Sequence, residues 1–224
     1  MSAAAMPRIA FFHAAIFLSA FLLFQIQPMI AKGLLPGFGG SYLVWGTCMA
    51  FFQGLLLVGY GYAHATQRRL GISGYARWHW IPLLLPLFFV PFDFSELIVA
   101  RHDFPLFVEV CLKLFATVAV PFFTLSTGAI VIQSWLGASD LPQRDNPYAL
   151  YASSNIGSLF ALLSYPVLIE PFLPLPLQGQ VWAGLYIVML ALFALCQPRR
   201  KKDSVPAKEE EAPMGRVPWG EFLT

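Results

Sequence analysis

Long apolar stretches alternate with short polar gaps along most of the chain, from Phe11 to Cys196. A helix needs about 20 apolar residues to cross the hydrocarbon core of a bilayer. Six stretches have that length or come close to it, and we predict a spanning helix in each. They are residues 9–32, 43–65, 80–99, 106–135, 148–172 and 177–196. The pattern therefore predicts an all-α membrane domain over residues 1–196.

The third stretch has the weakest pattern of the six. Pro82, Pro86 and Pro91 interrupt it, and Asp93 and Glu96 follow closely. Proline lacks a backbone donor and kinks a helix, although neighbouring helices can satisfy the freed carbonyls within a membrane. We therefore expect this span to be kinked or short.

Basic residues favour one side of the predicted bundle. Gaps on that side of a six-span chain contain Arg8, Arg68, Arg69, Arg77, Arg144, Arg199, Arg200, Lys201 and Lys202. The other side receives chiefly Arg101 and Lys32. Cytoplasmic loops are enriched in Lys and Arg, so both termini are predicted to be cytoplasmic. A signal peptide is the alternative for residues 1–32, but the apolar run is too long for one and no small-x-small cleavage site follows it.

Composition agrees with a membrane location and narrows the function. The chain is 58% hydrophobic and 12% charged, whereas soluble domains have about one quarter charged residues. Its net charge of +2 does not indicate a nucleic-acid partner. Cys48, Cys111 and Cys196 lie in apolar runs without CxxC spacing, so we predict no metal site and no cofactor. No sequence motif indicates a catalytic residue.

The end of the sequence changes character at Gln197. Residues 197–216 are charged and contain proline, which is typical of a disordered linker. Residues 217–224 (VPWGEFLT) are more apolar again. We expect them to begin a further segment of a longer protein, or to form an amphipathic stub on the membrane surface.

Three stretches are more specific than hydropathy alone. They are QPMIAKGLLPGFGGSYLVWGTCMAFFQGLLLVGYGYAHA from Gln27, VPFFTLSTGAIVIQSW from Val120, and NPYALYASSNIGSLFALLSYPVLIEP from Asn146. Together they closely resemble the membrane portion of bacterial fused major-facilitator/spermidine-synthase-like proteins. The resemblance rests on residues that are unusual in spans: Gly39, Gly40, Trp45, Phe51, Phe52, Gln53, Ser153, Ser154, Asn155, Glu170 and Pro171. Gly37 and Ile130 depart from the family pattern, which often has an aromatic residue and a proline at those places.

The resemblance implies a six-span, major-facilitator-like half in the bacterial inner membrane, built as a 3+3 inverted repeat. It also implies a cytoplasmic synthase-type partner domain, in the same chain or a separate one. No G-x-G-x-x-G motif follows a predicted strand, so this chain alone is not predicted to be an aminopropyltransferase. The implied function is handling of a small cationic solute such as a polyamine. The alternative is a membrane anchor or scaffold that transports nothing; the oligomeric state is left open.

Charged and amide side chains inside the predicted spans are the candidate substrate-binding residues. A charge at the centre of a bilayer costs about 2.5–3.5 kcal/mol, so it needs a partner or a purpose. Glu170, flanked by Pro166 and Pro171, is a candidate cation or proton site. It is alternatively an interfacial carboxylate that pairs with Lys32, which could also reach the interface by itself.

Amides form the second group of candidates, and they occur in four of the spans. They are Gln25, Gln27, Gln53, Gln133 and Asn155. Such amides could line a polar passage or simply join helices, at about 0.6 kcal/mol for each hydrogen bond. Gln53 and Asn155 lie beside small residues that let helices approach: Gly46, Ala50, Gly54 and Gly61 in the second span, and Gly157, Ala161 and Ser164 in the fifth. We therefore expect Gln53 and Asn155 to meet in the interior.

Overall fold

A computed structural model describes residues 5–100, 104–145 and 148–198 of the chain. Every regular element in these ranges is a helix. The α-helices are α1 (Ala5–Phe38), α2 (Tyr42–Trp78), α3 (Trp80–Leu84), α4 (Ser95–Ile98), α5 (Leu106–Gly137), α6 (Tyr148–Ser164) and α7 (Leu175–Cys196). Apart from residues 197 and 198, the predicted linker and the predicted apolar end lie outside the described residues.

Five helical segments of the described chain are long and apolar enough to cross a bilayer. They are Arg8–Phe38, Tyr42–Gly71, Leu106–Gly137, Tyr148–Ile169 and Leu175–Cys196. They coincide with five of the six predicted spans and confirm the all-α class. Their apolar surfaces indicate a lipid bilayer as the surroundings of the protein.

The two central helices are α1 and α5. Helix α1 packs on α6, α7 and α5, and α5 also packs on α2. Four of the long helices thus follow each other across the bundle in the order α6, α1, α5, α2, with α7 against α1. Fully buried side chains such as Ile16, Leu22 and Ile26 of α1 and Val118 and Ile132 of α5 form the core. The core is therefore largely apolar, and the buried Ser19 of α1 lies against Gly128 of α5 where the central helices meet.

Two of these helix pairs run parallel. His13 bonds to Ser153 near the start of α1 and α6 (2.7 Å), and Lys32 contacts Glu170 where both segments end. Likewise, Phe52 of α2 packs on Phe122 of α5, and Gln67 donates to Ser134 nearer their ends. In each pair, residue numbers therefore increase in the same direction along both helices.

Glycines mark the closest approach within both parallel pairs. A side chain on Gly157 would collide with the backbone of Phe17, and one on Gly59 would collide with Ser126. Gly157, Ala161 and Ser164 are buried, so the small-residue face predicted for the fifth span is confirmed.

The small-residue face predicted for the second span is wrong. Gly46, Gly54 and Gly61 have no neighbouring atom within 4 Å of an added Cβ, and Ala50 is exposed. At 3.6 residues per turn, Gly59 lies on the opposite side of α2 from these residues. The helix therefore packs through Gly59, and the predicted face points away from the described bundle.

The third predicted span is not one helix. Helix α2 kinks at Gly71, which has a positive φ of 64°, and continues to Trp78. Short helices α3 and α4 follow, with a 3-10 turn at Leu85–Phe88 between them. Phe94 and Leu97 reach Gly33 near the end of α1. The segment therefore crosses the bundle as a broken chain.

Hydroxyl groups of other helices donate to two backbone carbonyls of this segment. Pro86 has no N–H, so the carbonyl of Pro82 loses its helical donor. The hydroxyl of Thr124 in α5 donates to that carbonyl (2.8 Å), and the hydroxyl of Tyr186 in α7 donates to the carbonyl of Leu83 (2.8 Å). Irregular backbone at membrane depth is tolerated when protein groups satisfy it in this way.

Candidate binding pocket between α1, α6 and α7

A cavity of about 100 Å³ lies between α1, α7 and the segment that joins α6 to α7. Its lining residues are Phe21, Gln25, Met29, Ile169, Leu173, Gln178, Val181, Trp182 and Leu185. The walls are predominantly apolar, with two amides among them. An engineered apolar cavity of about 150 Å³ accepts benzene, so this pocket has room for a short hydrocarbon group.

Helix α1 contributes one stripe of side chains to the pocket. Phe21, Gln25 and Met29 are four residues apart and so lie above one another on the helix. The amide nitrogen of Gln25 donates to the carbonyl of Ala161 (2.8 Å) and to the hydroxyl of Ser164 (3.2 Å). Both of its hydrogens are thus used, which leaves the amide oxygen as an acceptor for a ligand.

Gln178 and Tyr165 fix the wall formed by the start of α7. The hydroxyl of Tyr165 donates to the amide oxygen of Gln178 (3.1 Å), whose nitrogen donates to the carbonyl of Leu173 (2.8 Å). Nearby, the indole N–H of Trp182 donates to the carbonyl of Leu22 in α1 (3.1 Å). These bonds hold the connecting segment and α7 against α1.

An ion pair is formed by two residues that follow lining residues in the sequence, although neither of them lines the cavity. The ammonium of Lys32 is 3.4 Å from a carboxylate oxygen of Glu170, which confirms the predicted pairing. Lys32 lies one turn beyond Met29 on α1, and Glu170 directly follows Ile169. The side chains are 31% and 46% exposed, and such pairs stabilise by about 0.2–1 kcal/mol. A ligand could therefore break the pair at little cost.

A π-helical turn at Tyr165–Ile169 sets the direction of Glu170. The N–H of Glu170 donates to the carbonyl of Tyr165, five residues earlier (2.8 Å). In an uninterrupted α-helix, Glu170 would fall on the exposed face with Leu159 and Leu163. The wider turn rotates it by roughly a quarter turn, towards α1. The turn therefore makes the contact with Lys32 geometrically accessible.

The other predicted site residues lie elsewhere. Gln27 and Gln133 are half-buried on α1 and α5 and do not line the pocket. Gln53 and Asn155 are both exposed, on helices that pack against α5 and α1 respectively. The prediction that these two amides meet in the interior is wrong, because α1 and α5 lie between α6 and α2 and both amides are on exposed faces.

Sequence reasoning assigned no role to the wall residues Gln178 and Tyr165, whereas Gln25 was among the candidate amides. Hydropathy treats Gln178 as a polar residue at the start of a span. It is buried because Tyr165, thirteen residues earlier, supplies its partner. The one local signal was the short Pro-rich segment between the fifth and sixth spans, which forces their ends together.

The described residues contain no group of three or more His, Cys, Asp or Glu side chains placed to hold a metal ion. No family model matches this chain, and neither the curated proteins nor the solved structures include one that matches it.

Proposed function

We propose that this chain is an integral membrane module that binds a small organic cation with an apolar body. The observation that carries the proposal is the Lys32–Glu170 ion pair, whose residues follow Met29 and Ile169 of the apolar lining by three residues and one residue. In this proposal the ammonium of the ligand replaces that of Lys32 on Glu170, and its hydrocarbon part enters the pocket.

The chemistry of the pocket favours a cation over an anion. Glu170 and the free amide oxygen of Gln25 are both acceptors, and an ammonium group is a donor only. Apolar walls stabilise a buried methylene by about 0.8 kcal/mol. A cavity of about 100 Å³ limits the body to a few carbon atoms. Short alkylamines and diamines, including the polyamine class implied by the family resemblance, meet both conditions.

The arrangement of helices supports a transporter-like half with a 3+3 inverted repeat. Such a repeat exchanges the first span with the fourth and the second with the fifth. Spans one, two, four and five are α1, α2, α5 and α6. Under that exchange, the parallel contact of α1 with α6 therefore corresponds to the parallel contact of α5 with α2. The close-approach glycines correspond as well, since Gly157 lies in the first contact and Gly59 in the second. The broken third segment would then be the counterpart of α7.

We further propose that the module lies in the bacterial inner membrane with both termini in the cytoplasm. Arg8 and Gln197 line one cleft, which supports a common side for the start of α1 and the end of α7. The basic residues of the sequence indicate that this side is the cytoplasmic one.

An anchor or scaffold for a synthase-type domain is the second candidate. Apolar packing favours it, because side chains such as Leu22 of α1 and Val118 of α5 are fully buried in the described core. Under this alternative, the pocket would bind no solute.

Calorimetric titration of the purified protein in nanodiscs with butylammonium tests the choice. We expect binding by the wild-type protein and at least tenfold weaker binding by Glu170→Gln, with no binding of the uncharged analogue butanol. Asp93→Asn, which alters an exposed carboxylate outside the pocket, is the matched control and should bind like the wild type. Absence of binding, or equal affinity of Glu170→Gln, would contradict the proposal and favour the scaffold.

A further inference from the structure

A second cleft, of about 320 Å³, lies between the start of α1 and the end of α7. It is lined by Arg8, Ala194, Leu195, Gln197 and Pro198. It is at the opposite end of α1 from the Lys32–Glu170 pair, and so it is separate from the proposed cation pocket. At about 30 Å³ for each water, the cleft has room for about ten waters, or for a polar head group.

The electrostatics of this cleft favour an anion. Arg8 lies in the first turn of α1, where free backbone N–H groups and the helix dipole add positive potential. Within the described residues, no carboxylate forms an ion pair with Arg8. The last carbonyls of α7 oppose this potential. Among the described residues that line the cleft, the one charged side chain is Arg8, and its charge is positive.

The position of the cleft indicates which anion is available. It lies where two helices of membrane-spanning length begin and end, which is the level of the lipid head groups. Val181, Val188 and Leu195 are exposed at seven-residue intervals on α7, so an apolar surface leads from the cleft along the helix. A free phosphate would use the cleft alone, whereas a phospholipid would also use this surface.

We propose that the cleft binds the phosphate head group of an anionic phospholipid, with Arg8 as the contacting side chain. Basic side chains at the end of a spanning helix attract anionic lipids. Basic pockets between spanning helices are known recognition sites for such head groups. The bound lipid would join α1 and α7 at this end of the bundle.

Native mass spectrometry of the full chain in detergent, titrated with phosphatidylglycerol, tests the proposal. We expect one tightly bound lipid, at least fivefold weaker binding by Arg8→Gln, and partial recovery by Arg8→Lys. Arg69→Gln removes an exposed basic residue of α2 outside the cleft and should bind like the wild type. Ala194→Phe keeps every charge but fills the cleft, and it should also weaken binding.

Two further titrations distinguish the alternatives. Phosphatidylglycerol should displace phosphatidylcholine that is present at the same concentration. Equal retention of both lipids would show that the cleft does not recognise charge, and it would overturn the proposal. Inorganic phosphate should not compete at millimolar concentration; competition would identify a free-anion site and overturn the lipid assignment. Equal lipid binding by the wild type, Arg8→Gln and Ala194→Phe would place the lipid elsewhere.

Discussion

The hydroxyl of Thr124 donates to the carbonyl of Pro82 (2.8 Å), the carbonyl that loses its helical donor because residue 86 is proline. This bond joins the broken third segment to the central helix α5. It explains how a chain interrupted by three prolines can lie within an apolar bundle. A hydroxyl from one helix has replaced a backbone donor of another.

Loss of this bond should destabilise the protein. We expect Thr124→Val to lower the free energy of unfolding by about 1–3 kcal/mol, because it leaves a buried carbonyl without a donor. Reversible unfolding in mixed micelles measures the change. In the Pro86→Ala background, which restores a backbone N–H, the same substitution should cost clearly less. Equal costs in the two backgrounds would show that the hydroxyl does not substitute for the missing donor.

Close packing of α6 on α1 should make Gly157 intolerant of any side chain. We expect Gly157→Ala to destabilise the protein by about 1–3 kcal/mol, because the new methyl group collides with the backbone of Phe17. Gly54→Ala is the matched control, since open space surrounds Gly54. It should be neutral or stabilising by up to about 1 kcal/mol, as expected for a helical glycine. Thermal unfolding of both variants in one detergent measures the two effects. A greater loss of stability for Gly54→Ala than for Gly157→Ala would contradict this packing.

Two buried polar side chains, His79 and Tyr75, lead to opposite predictions for stability. Thr127 donates to the carbonyl of Thr124 (2.6 Å), so the ring nitrogen Nε2 of His79 must donate to Thr127 (3.1 Å). Thr127→Val should therefore cost about 1–3 kcal/mol. The buried hydroxyl of Tyr75 has no hydrogen-bond partner among the described residues, so Tyr75→Phe should be neutral or stabilising. Unfolding measurements that showed a large loss for Tyr75→Phe would reveal a partner for this hydroxyl.

Topology follows from the distribution of basic residues. Reporters fused after Arg69, Arg144 and Lys202 should be cytoplasmic, and those fused after Gly40, His102 and Leu175 should be external. Alkaline phosphatase and fluorescent-protein fusions measure both sides. Opposite locations for Arg69 and Arg144 would exclude a third segment that crosses the membrane.

Hydropathy predicted five spans well because length and apolar composition are local properties of the chain. It also predicted the contact of Lys32 with Glu170, since the order of spans brings both residues to one end of the bundle. It treated the third apolar stretch as one more span. The hydroxyl groups of Thr124 and Tyr186, which donate to carbonyls of the broken backbone, are distant in sequence and do not enter a hydropathy pattern. The pocket was not predicted for the same reason: Gln178 is buried only through its contact with Tyr165.

The face of a helix was harder to predict than its existence. Gly46, Gly54 and Gly61 suggested one packing face of α2, but Gly59 occupies the actual one. Several glycines on one apolar helix give no local signal that distinguishes these faces. The wrong prediction that Gln53 lies in the interior followed from choosing the wrong face of α2.

If a cation binds Glu170, the ammonium of Lys32 competes with it for the same carboxylate, so removal of Lys32 should tighten cation binding. The measurement is the dissociation constant of butylammonium for Lys32→Met compared with the wild type, in nanodiscs at one ionic strength. Since an exposed pair contributes about 0.2–1 kcal/mol, the account predicts roughly 1.5–5-fold tighter binding by Lys32→Met. Unchanged or weaker binding would contradict it.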